Sequence, residues 1–214
     1  MPSIIDAKVA SDLSTGRIWH AHPQQPYICS PLGLVPKSDG GWRRIHHLSF
    51  PNSRLVNDSI PQEFGEIEYT TFDAITNDIV ITGRGIVILK RDIKDAFWIV
   101  LIAQLDQHLL GFTWDGQYYA ERALVFGLRT APMLFNLFAE ALHWILLSKI
   151  QFAKIHHYLD DFIFLLRKLE AKQCLTHLEA DYQALTDDLG IPRKDSKDAC
   201  GTTATVLGIE VDTI

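Results

Sequence analysis

The pattern of apolar and polar residues predicts a β-hairpin in the first quarter of the chain. Two β-rich runs, residues 29–37 and 41–49, are joined by a Ser-Asp-Gly sequence that favours a tight turn. Before this hairpin only residues 4–13 predict a helix, and the first 28 residues are otherwise expected to be irregular. After it, residues 72–81 predict a second helix, which a Gly-Arg-Gly sequence ends before a strand over residues 86–92.

A second hairpin separates these elements from a mainly helical region. It is predicted by Asp115-Gly116, which lies between two further β-rich runs. The following segment predicts a helix with Thr130 as its N-cap and Pro132 in its first turn, where a missing amide costs little. Its polar residues form one thin stripe, so we expect the rest of the helix to be buried. They are Asn136, Glu140 and His143.

The last third of the chain predicts a hairpin, a helix and a strand. Residues 154–167 form a hairpin that is apolar on both arms and carries two aspartates at its tip. Apolar residues three and four apart over residues 175–189 predict an amphipathic helix, and residues 205–213 predict a short closing strand. This order of elements predicts an α+β fold in which helices pack on one face of an antiparallel sheet.

The composition is that of an ordinary folded protein. Of 214 residues, 47% are hydrophobic and 21% are charged, which excludes a disordered or fibrous chain and allows one domain or a main domain with a lobe. Three scattered cysteines are too few for a disulfide framework or a four-ligand zinc site. We therefore expect an intracellular protein of the cytoplasm or nucleus that is not secreted, with no signal peptide, membrane span or membrane partner.

The net charge of −6 has the wrong sign for a protein whose whole surface binds nucleic acid. Residues 55–83 contain six acids and no Lys or Arg, so this segment accounts for the whole excess. The remainder balances to zero and contains a locally basic group that can form a binding surface. Its members are Lys37, Arg43, Arg44 and Arg54.

Four aspartates in two clusters carry the candidate chemistry. Asp160 and Asp161 are adjacent in the sequence YLDDF at the tip of the last hairpin, and Asp92 ends an apolar strand with Asp95 three residues later. Adjacent carboxylates in apolar surroundings repel each other unless a cation neutralises them. For the Asp-Asp dipeptide alone there is an alternative, namely a polar turn that only exposes the tip of the hairpin to solvent. If the two clusters lie side by side, their oxygens can hold two divalent ions about 3.5–4 Å apart, as in phosphoryl transfer.

At these residues the sequence resembles the reverse transcriptases, most closely those of LTR retrotransposons and of tyrosine-recombinase (DIRS-type) retrotransposons. The resemblance extends over residues 30–213, and its motifs follow the family's order. It implies the fingers and palm of a right-hand polymerase with an antiparallel palm sheet. Residues 1–29 would be an N-terminal segment, residues 30–85 the fingers and residues 86–214 the palm, with finger elements interleaved around residues 98–125.

The resemblance implies the catalytic residues and the metal ligands. RDIKDAF matches the family's first palm motif and places a ligand at Asp92, with the backbone carbonyl of Ile93 beside it. YLDD gives Asp160 as the second ligand and Asp161 as the third, weaker one. The implied cofactor is two Mg²⁺ ions, for which Mn²⁺ can substitute. Lys197, in LGIPRKDSK, aligns with a lysine that assists the pyrophosphate leaving group.

Further residues are implied to contact the incoming dNTP. In the finger hairpin, Lys37 and Arg43 correspond to cations that clamp the β- and γ-phosphates. Phe97 corresponds to an aromatic residue that excludes a ribose 2′-hydroxyl and so favours deoxynucleotides. The remaining implied contacts come from the two palm motifs RDIKDAF and FGLRTAPMLFN. They are Asp95, Ala96, Phe126 and Gly127, of which Phe126 stands where retroviral enzymes keep a glutamine.

The last motif, VLGIEVD, resembles the primer-grip strand, with Leu207, Gly208 and Ile209 as the contact residues. The resemblance ends there, so we expect that a thumb is absent. The missing part would come from a homodimer or from the thumb and RNase H region of a longer polyprotein.

Other features that suggest metal or base stacking have simpler interpretations. Three histidine pairs lack Cys or Glu at a fixed ligand spacing, which favours satisfied strand or surface histidines. They are His20 and His22, His46 and His47, and His156 and His157. Of the tryptophans, Trp98 and Trp144 are expected in the buried core, and only Trp42 is expected near nucleic acid.

Together these observations predict an RNA- and DNA-templated DNA polymerase that takes dNTPs and a primed template. The alternative is a catalytically weak or inactive polymerase-like domain that acts as a nucleic-acid or protein interaction module. The acidic balance and the absent thumb favour that alternative, whereas the complete set of aspartates opposes it. A nucleotide cyclase on a similar palm is disfavoured because it needs neither a finger hairpin nor a primer-grip strand.

Overall fold

Four α-helices and eleven strands form the regular structure of residues 2–22, 24, 27–37, 40–50, 55–168 and 171–214, which the computed structural model describes. The helices are α1 (Pro2–Ser14), α2 (Phe72–Thr82), α3 (Ala131–Lys149) and α4 (Ala171–Asp188). The strands are β1 (Ile18–His20), β2 (Leu32–Pro36), β3 (Trp42–His46), β4 (Val87–Asp92), β5 (Gly111–Trp114), β6 (Gln117–Glu121), β7 (Ala153–Tyr158), β8 (Asp161–Leu166), β9 (Ala199–Gly201), β10 (Thr203–Val206) and β11 (Ile209–Asp212). The four predicted helices and the three predicted hairpins are confirmed, although Ser38 and Asp39 of the first turn, and Arg54, lie outside the described residues.

The chain divides into two units, each with its own core. The first unit comprises Met1–Glu66 and Phe97–Leu134, and the second comprises Ile67–Ala96 and Phe135–Ile214. The boundaries of these units differ from those expected for the fingers and the palm, which lie after residues 29 and 85. The division into fingers and palm stays a prediction.

The first unit contains a three-stranded antiparallel sheet of order β1-β6-β5 and the separate hairpin β2-β3. Val9 of α1 packs with Ile18, Phe112 and Tyr119 of the sheet in a buried cluster. Strand β1 corrects the expectation that this segment is irregular, because Ile18 pairs with Glu121 of β6. A strand of three residues is too short for its sequence to show an alternating pattern.

A buried ion-pair network joins α1, β3 and β6 within the first unit. The guanidinium of Arg44 donates to Asp12 Oδ2 at 2.8 Å and to Glu121 Oε1 at 2.5 Å. His46 Nε2 lies 2.9 Å from the same oxygen of Glu121. Burial works to raise the pKa of Glu121, but Arg44 and His46 outweigh it and hold that pKa below its usual value. Arg44 is therefore a core cation and not part of a basic surface.

The second unit is built on a four-stranded antiparallel sheet of order β7-β8-β4-β9. On one face Ile163 and Leu165 of β8 pack with Ile75 of α2, and on the other Phe164 contacts Tyr182 of α4, with ring centroids 5.9 Å apart. Helices therefore cover both faces of the sheet, which corrects the expectation of helices on one face. The reason is that β8 is apolar at successive positions, so both of its faces need cover.

The closing segment is a hairpin and not the single strand that the sequence predicts. β10 pairs with β11, with Val206 opposite Ile209 and a turn formed by Leu207 and Gly208. Both turn residues have positive φ, 47° and 81° respectively, as in a type I′ turn. Glycine adopts this conformation readily, whereas leucine seldom does. Leucine at the first turn position therefore gave no indication of a turn in the sequence.

Helix α3 buries one apolar face and exposes another. Phe135 and Leu142 are buried, whereas Leu137 is 61% and Trp144 is 72% exposed. The expected core position of Trp144 is therefore wrong, because an almost entirely apolar helix carries no pattern that tells its buried face from its exposed one. Trp98 is half-buried. Among the described helices, α3 alone is long and apolar enough to cross a membrane, a criterion that core helices of globular proteins also meet.

Replacing Arg44 with methionine should lower the free energy of unfolding by about 3–5 kcal/mol, because Asp12 and Glu121 would stay buried without their cation. Urea denaturation followed by tryptophan fluorescence measures this. The matched control is Arg43→Met, at an exposed neighbouring position, for which we expect a loss below about 1 kcal/mol. Equal losses for both variants would contradict a stabilising role of the buried network.

Candidate active site

Three carboxylates meet at one end of the sheet of the second unit. Asp92, the last residue of β4, pairs in register with Asp161, the first residue of β8. The amide of Ile93 donates to the carbonyl of Asp160 at 2.9 Å, which ties the end of β4 to the turn between β7 and β8. The two aspartate clusters of the sequence therefore lie side by side, as a shared metal site requires.

The turn that presents Asp160 has an unusual backbone. Tyr158 pairs with Asp161, so Leu159 and Asp160 form a two-residue turn. Leu159 has a φ of 51°, in a region that residues other than glycine seldom adopt. Such strain persists only where the surrounding structure imposes it, and it is concentrated at functional sites. Here the pairing of both arms of the hairpin holds Asp160 at the strand ends.

The carboxyl groups of Asp160 and Asp161 lie in surroundings that disfavour their charged forms. Burial is the main cause that raises the pKa of each group, and the charge of nearby Asp92 raises both further. Asp92 is itself only 3% exposed. The group is therefore short of positive charge, which a divalent cation would supply.

Two lysines compensate part of this negative charge. Lys197 Nζ lies 2.6 Å from Asp92 Oδ2, and Lys90 Nζ lies 3.8 Å from Asp161 Oδ2. Burial works to lower the pKa of Lys197, but its hydrogen bond to Asp92 and the charge of that carboxylate raise the pKa above its usual value. Lys197 is thus protonated at neutral pH. The sequence motif identifies Lys197, whereas the contact of Lys90 follows from strand register and was missed.

The donor set fits a hard divalent cation. Asp92, Asp160 and Asp161 offer carboxylate oxygens, and Mg²⁺ and Mn²⁺ prefer oxygen ligands in proteins. Such an ion would compete with Lys197 for Asp92 Oδ2, the oxygen that the ammonium group now contacts. The role of the Ile93 carbonyl as a ligand stays a prediction.

A backbone hydrogen bond joins the end of β4 to the segment that carries Lys197. The amide of Lys194 donates to the carbonyl of Asp92 at 2.9 Å, which places the short 3₁₀ turn with Lys197 beside the end of β4. Asp95 has a φ of 56°, and Ala96 begins another 3₁₀ turn directly after it. Asp95 and Ala96 are half-buried close to the carboxylates in sequence.

The other predicted dNTP contacts lie in the first unit. The guanidinium carbon of Arg43 lies 4.2 Å from the ring centroid of Phe126, and the ring of Phe97 lies 4.7 Å from the same ring. Arg43 is exposed and Phe97 is buried, so the guanidinium packs on the ring of Phe126, which in turn packs on Phe97. Lys37 is half-buried at the end of β2, where its amide donates to the carbonyl of Gly41 at 2.8 Å.

Gly127 is required by a close approach of two backbone segments. Its φ is 108°, and a Cβ atom at this position would overlap the carbonyl oxygen of His46. The side-chain amide of buried Asn57 donates to the Gly127 carbonyl at 2.8 Å and accepts from the Arg129 amide at 2.8 Å. Asn57 thus positions the turn at Phe126 and Gly127. Asn57 could not be identified from the sequence, because the two backbone groups that it contacts at this turn are about 70 residues away.

The predicted primer-grip residues lie at the terminal hairpin of the second unit. Leu207 and Gly208 form its turn, and Ile209 begins β11. Leu207 is partly buried against the core beneath α2, whereas Ile209 is 49% exposed. A turn therefore takes the place of the expected extended strand, and the primer-contact role of these residues stays a prediction.

A second cluster of ligand-type side chains lies in the same unit. Glu140, His143 and His157 each place one ligand atom within 4.8 Å of the others. The interpretation of His157 as a satisfied strand histidine is incomplete, since a glutamate does lie near it. The spacing of Glu140 and His143, three residues apart on one helix, was a signal in the sequence, but the strand that completes the cluster could not be identified from it.

Comparison with known proteins gives one consistent result. Residues 35–211 match the model of the family described as reverse transcriptase (RNA-dependent DNA polymerase). Over 113 residues, 53% of the chain, the sequence is 31% identical to the Pro-Pol polyprotein of simian foamy virus type 3 (strain LK3), and the aligned part is 9% of that protein.

Solved structures of foamy viral protease-reverse transcriptase are similar in fold. The complex with double-stranded DNA aligns with 99% of the chain and 34% of its own, with a TM-score of 0.74 and 22% identity. The complex with an RNA/DNA hybrid aligns with 98% of the chain and 25% of its own, with a TM-score of 0.71 and 23% identity. The predicted α+β fold of polymerase fingers and palm is thereby confirmed, and the chain spans about a third or less of each relative.

Asp160→Asn should raise the thermal unfolding midpoint in Mg²⁺-free buffer by a few degrees, because it removes a buried charge beside two other carboxylates. The wild-type chain should be stabilised by added Mg²⁺ and the variant much less. Differential scanning calorimetry with and without Mg²⁺ measures both effects, with exposed Asp188→Asn as the control that should behave as wild type. An Mg²⁺ response that is unchanged by Asp160→Asn would contradict a cation site at this turn.

Proposed function

Because the chain belongs to the reverse transcriptase family of RNA-dependent DNA polymerases, we propose that it adds deoxynucleotides to a primer 3′-hydroxyl on RNA and DNA templates. The observation that carries this proposal is the register of β4 and β8, which places Asp92 opposite Asp161. The hydrogen bond from the Ile93 amide to the Asp160 carbonyl brings Asp160, the third carboxylate residue, to the same end of the sheet.

In the proposed reaction, Asp92, Asp160 and Asp161 would hold two Mg²⁺ ions together with the carbonyl of Ile93, and Mn²⁺ could substitute. When bound, such ions lower the pKa of the primer hydroxyl and stabilise the charge that develops on the leaving pyrophosphate. The chain's own contribution is to hold three carboxylates together against their repulsion, so that little reorganisation is needed at the moment of reaction.

Lys197 places a protonated amine next to the three carboxylates. It is bonded to Asp92, and its raised pKa keeps it charged at neutral pH. We assign it to the leaving pyrophosphate, to which its ammonium group would donate. Its substitution should slow the chemical step more than it weakens nucleotide binding.

The residues of the first unit are assigned to nucleotide binding. The exposed guanidinium of Arg43 suits a triphosphate, since Arg forms strong charge-assisted hydrogen bonds with phosphate oxygens. Lys37 would add a second positive charge. Phe97, fixed against Phe126, would contact the sugar and exclude a 2′-hydroxyl, and Gly127 leaves room for the backbone there.

The proposed partners are dNTPs and a primed RNA or DNA template. Relatives of the same fold are solved with double-stranded DNA and with an RNA/DNA hybrid, which supports a duplex as the partner of this chain. We also propose that a second copy of the chain, or the thumb and RNase H region of a longer polyprotein, completes the grip on the duplex. The site of action would be intracellular, in the cytoplasm or nucleus.

Within the family, we propose an origin in an LTR or tyrosine-recombinase (DIRS-type) retrotransposon. Phe126, in the position where retroviral enzymes keep a glutamine, supports an element of this kind. Sequencing the DNA that flanks the coding region tests the assignment. An integrase or a tyrosine recombinase reading frame would distinguish the two element classes, and a retroviral envelope gene would contradict both.

Asp92→Asn should reduce primer extension at least about a hundredfold, because the loss of one carboxylate ligand removes several kcal/mol of charge stabilisation. Single-nucleotide addition on RNA and DNA templates at low salt, in Mg²⁺ and in Mn²⁺, is the measurement. Asp188→Asn serves as the control with the same change of charge. Near-normal extension by the Asp92 variant would overturn the assignment, and a wild-type chain with no activity in either metal would favour an interaction module.

Phe97→Val should increase the use of ribonucleotides relative to deoxynucleotides at least about tenfold, since a smaller side chain leaves space for a 2′-hydroxyl. The ratio of kcat/KM for dCTP and CTP on one primed template measures this discrimination, and a tenfold change corresponds to about 1.4 kcal/mol. Phe112→Val, a substitution at a buried phenylalanine of the sheet in the first unit, controls for loss of stability. An unchanged ratio would show that another residue filters the sugar.

A further inference from the structure

Glu140, His143 and His157 form a group of ligand-type side chains that the proposed polymerase reaction does not use. Glu140 and His143 lie one turn apart on α3, so both project from the same side of the helix. His157 lies on β7, where its ring stacks on Phe162 with centroids 5.4 Å apart. One ligand atom of each residue of the group lies within 4.8 Å of the other two.

The spacing within this group is close to that between ligands of one small ion. His157 Nε2 lies 3.6 Å from Glu140 Oε1, whereas the other nitrogen of the same ring, Nδ1, lies 2.9 Å from His143 Nδ1. Ligands at about 2.0–2.1 Å from a tetrahedral Zn²⁺ ion are about 3.3–3.5 Å apart. Because one imidazole presents a single nitrogen to an ion, the ring of His157 must turn so that one nitrogen faces both other residues. One ligand atom of each residue already lies within 4.8 Å of the other two.

The donor atoms of this group are of the kinds that bind a metal ion. An imidazole binds metal through the lone pair of one ring nitrogen, and a carboxylate binds through oxygen. Two rings within hydrogen-bond distance of each other and one carboxylate give the group three donors without any need for a cysteine.

A pocket beside the group leaves space for an ion and a water molecule. Its volume is about 170 Å³, well above the roughly 10–15 Å³ that one water molecule needs. Its remaining walls come from residues just before α2, from α3 and from β7. These residues are Glu68, Tyr69, Thr70, Asn136 and His156.

We propose that Glu140, His143 and His157 bind one Zn²⁺ ion, with a water molecule from the adjoining pocket as the fourth ligand. Two imidazoles and one carboxylate are a ligand set for zinc, whereas Mg²⁺ selects oxygen ligands, so this site is chemically distinct from the three aspartates. The ion would link α3 to β7, the strand that leads into the turn with Asp160. It would therefore stabilise the second unit, independently of polymerase activity.

Equilibrium titration of the purified chain with Zn²⁺ against a chromogenic chelator tests the proposal. Millimolar Mg²⁺ is present throughout to occupy oxygen-ligand sites. We expect one tight Zn²⁺ site in the wild-type chain and at least about tenfold weaker binding for His143→Asn and His157→Asn. Glu140→Gln should also weaken binding, and because the Glu140 side chain is 56% exposed, this substitution leaves the core unchanged. Co²⁺ bound at the site should give the visible spectrum of a tetrahedral complex without thiolate bands.

The matched control is His177→Gln. His177 is an exposed histidine of α4 that belongs neither to the group of three ligands nor to the pocket beside it. This variant should bind Zn²⁺ as the wild type does. Equal affinities in all four variants, thiolate bands in the Co²⁺ spectrum, or no binding up to millimolar Zn²⁺ would each overturn the proposal. Circular dichroism of every variant shows whether lost binding reflects lost ligands or lost structure.

Discussion

The register of two neighbouring strands is the constraint on which the rest of the second unit depends. Pairing of β4 with β8 sets Asp92 opposite Asp161, and the adjoining turn brings Asp160 to the same point. A slip of one residue would send every side chain of β4 to the opposite face of the sheet and break up this group. The ion pairs of β4 oppose the slip, because Lys90, Arg91 and Asp92 each contact an oppositely charged side chain in the observed register.

Keeping three carboxylates close together is unfavourable, and nearby lysines offset part of their repulsion. Burial and mutual repulsion raise the pKa of Asp160 and Asp161, and Lys197 and Lys90 supply part of the missing positive charge. The first unit solves a related problem differently. There Arg44 is buried between Asp12 and Glu121, and Arg17 lies 4.0 Å from Asp12, so two cations balance two carboxylates. The contrast separates a structural network of charges from a group suited to bind a cation.

Much of the fold could be predicted from the sequence because its signals are local. The turn at Asp115-Gly116, the N-terminal signal at Thr130 and the paired apolar arms of the last hairpin each depend on adjacent residues. The aspartates could be predicted as well, since their motifs are short and Asp92 directly ends an apolar strand. These features required no knowledge of which distant segments meet.

The features that could not be predicted depend on distant partners. The exposure of Trp144 is decided by which face of α3 meets the sheet, and an almost wholly apolar helix does not show this. Asn57 and Arg44 are recognised as buried anchors only when their partners on other segments are known. His157 likewise gains Glu140 as a neighbour only once β7 packs beside α3. The hairpin at Leu207 was concealed because leucine occupies a backbone conformation that normally marks glycine.

The most direct test of the central claim is the number of Mn²⁺ ions bound by the chain, measured by electron paramagnetic resonance with a primed template and a non-reactive dNTP analogue. The account predicts about two ions at the carboxylate group, and their loss in the Asp92→Asn/Asp160→Asn double variant. The count should stay unchanged in His143→Asn, whose imidazole belongs to the other group of ligands. Equal Mn²⁺ binding by the wild type and the double variant would contradict the claim that these aspartates form the metal site.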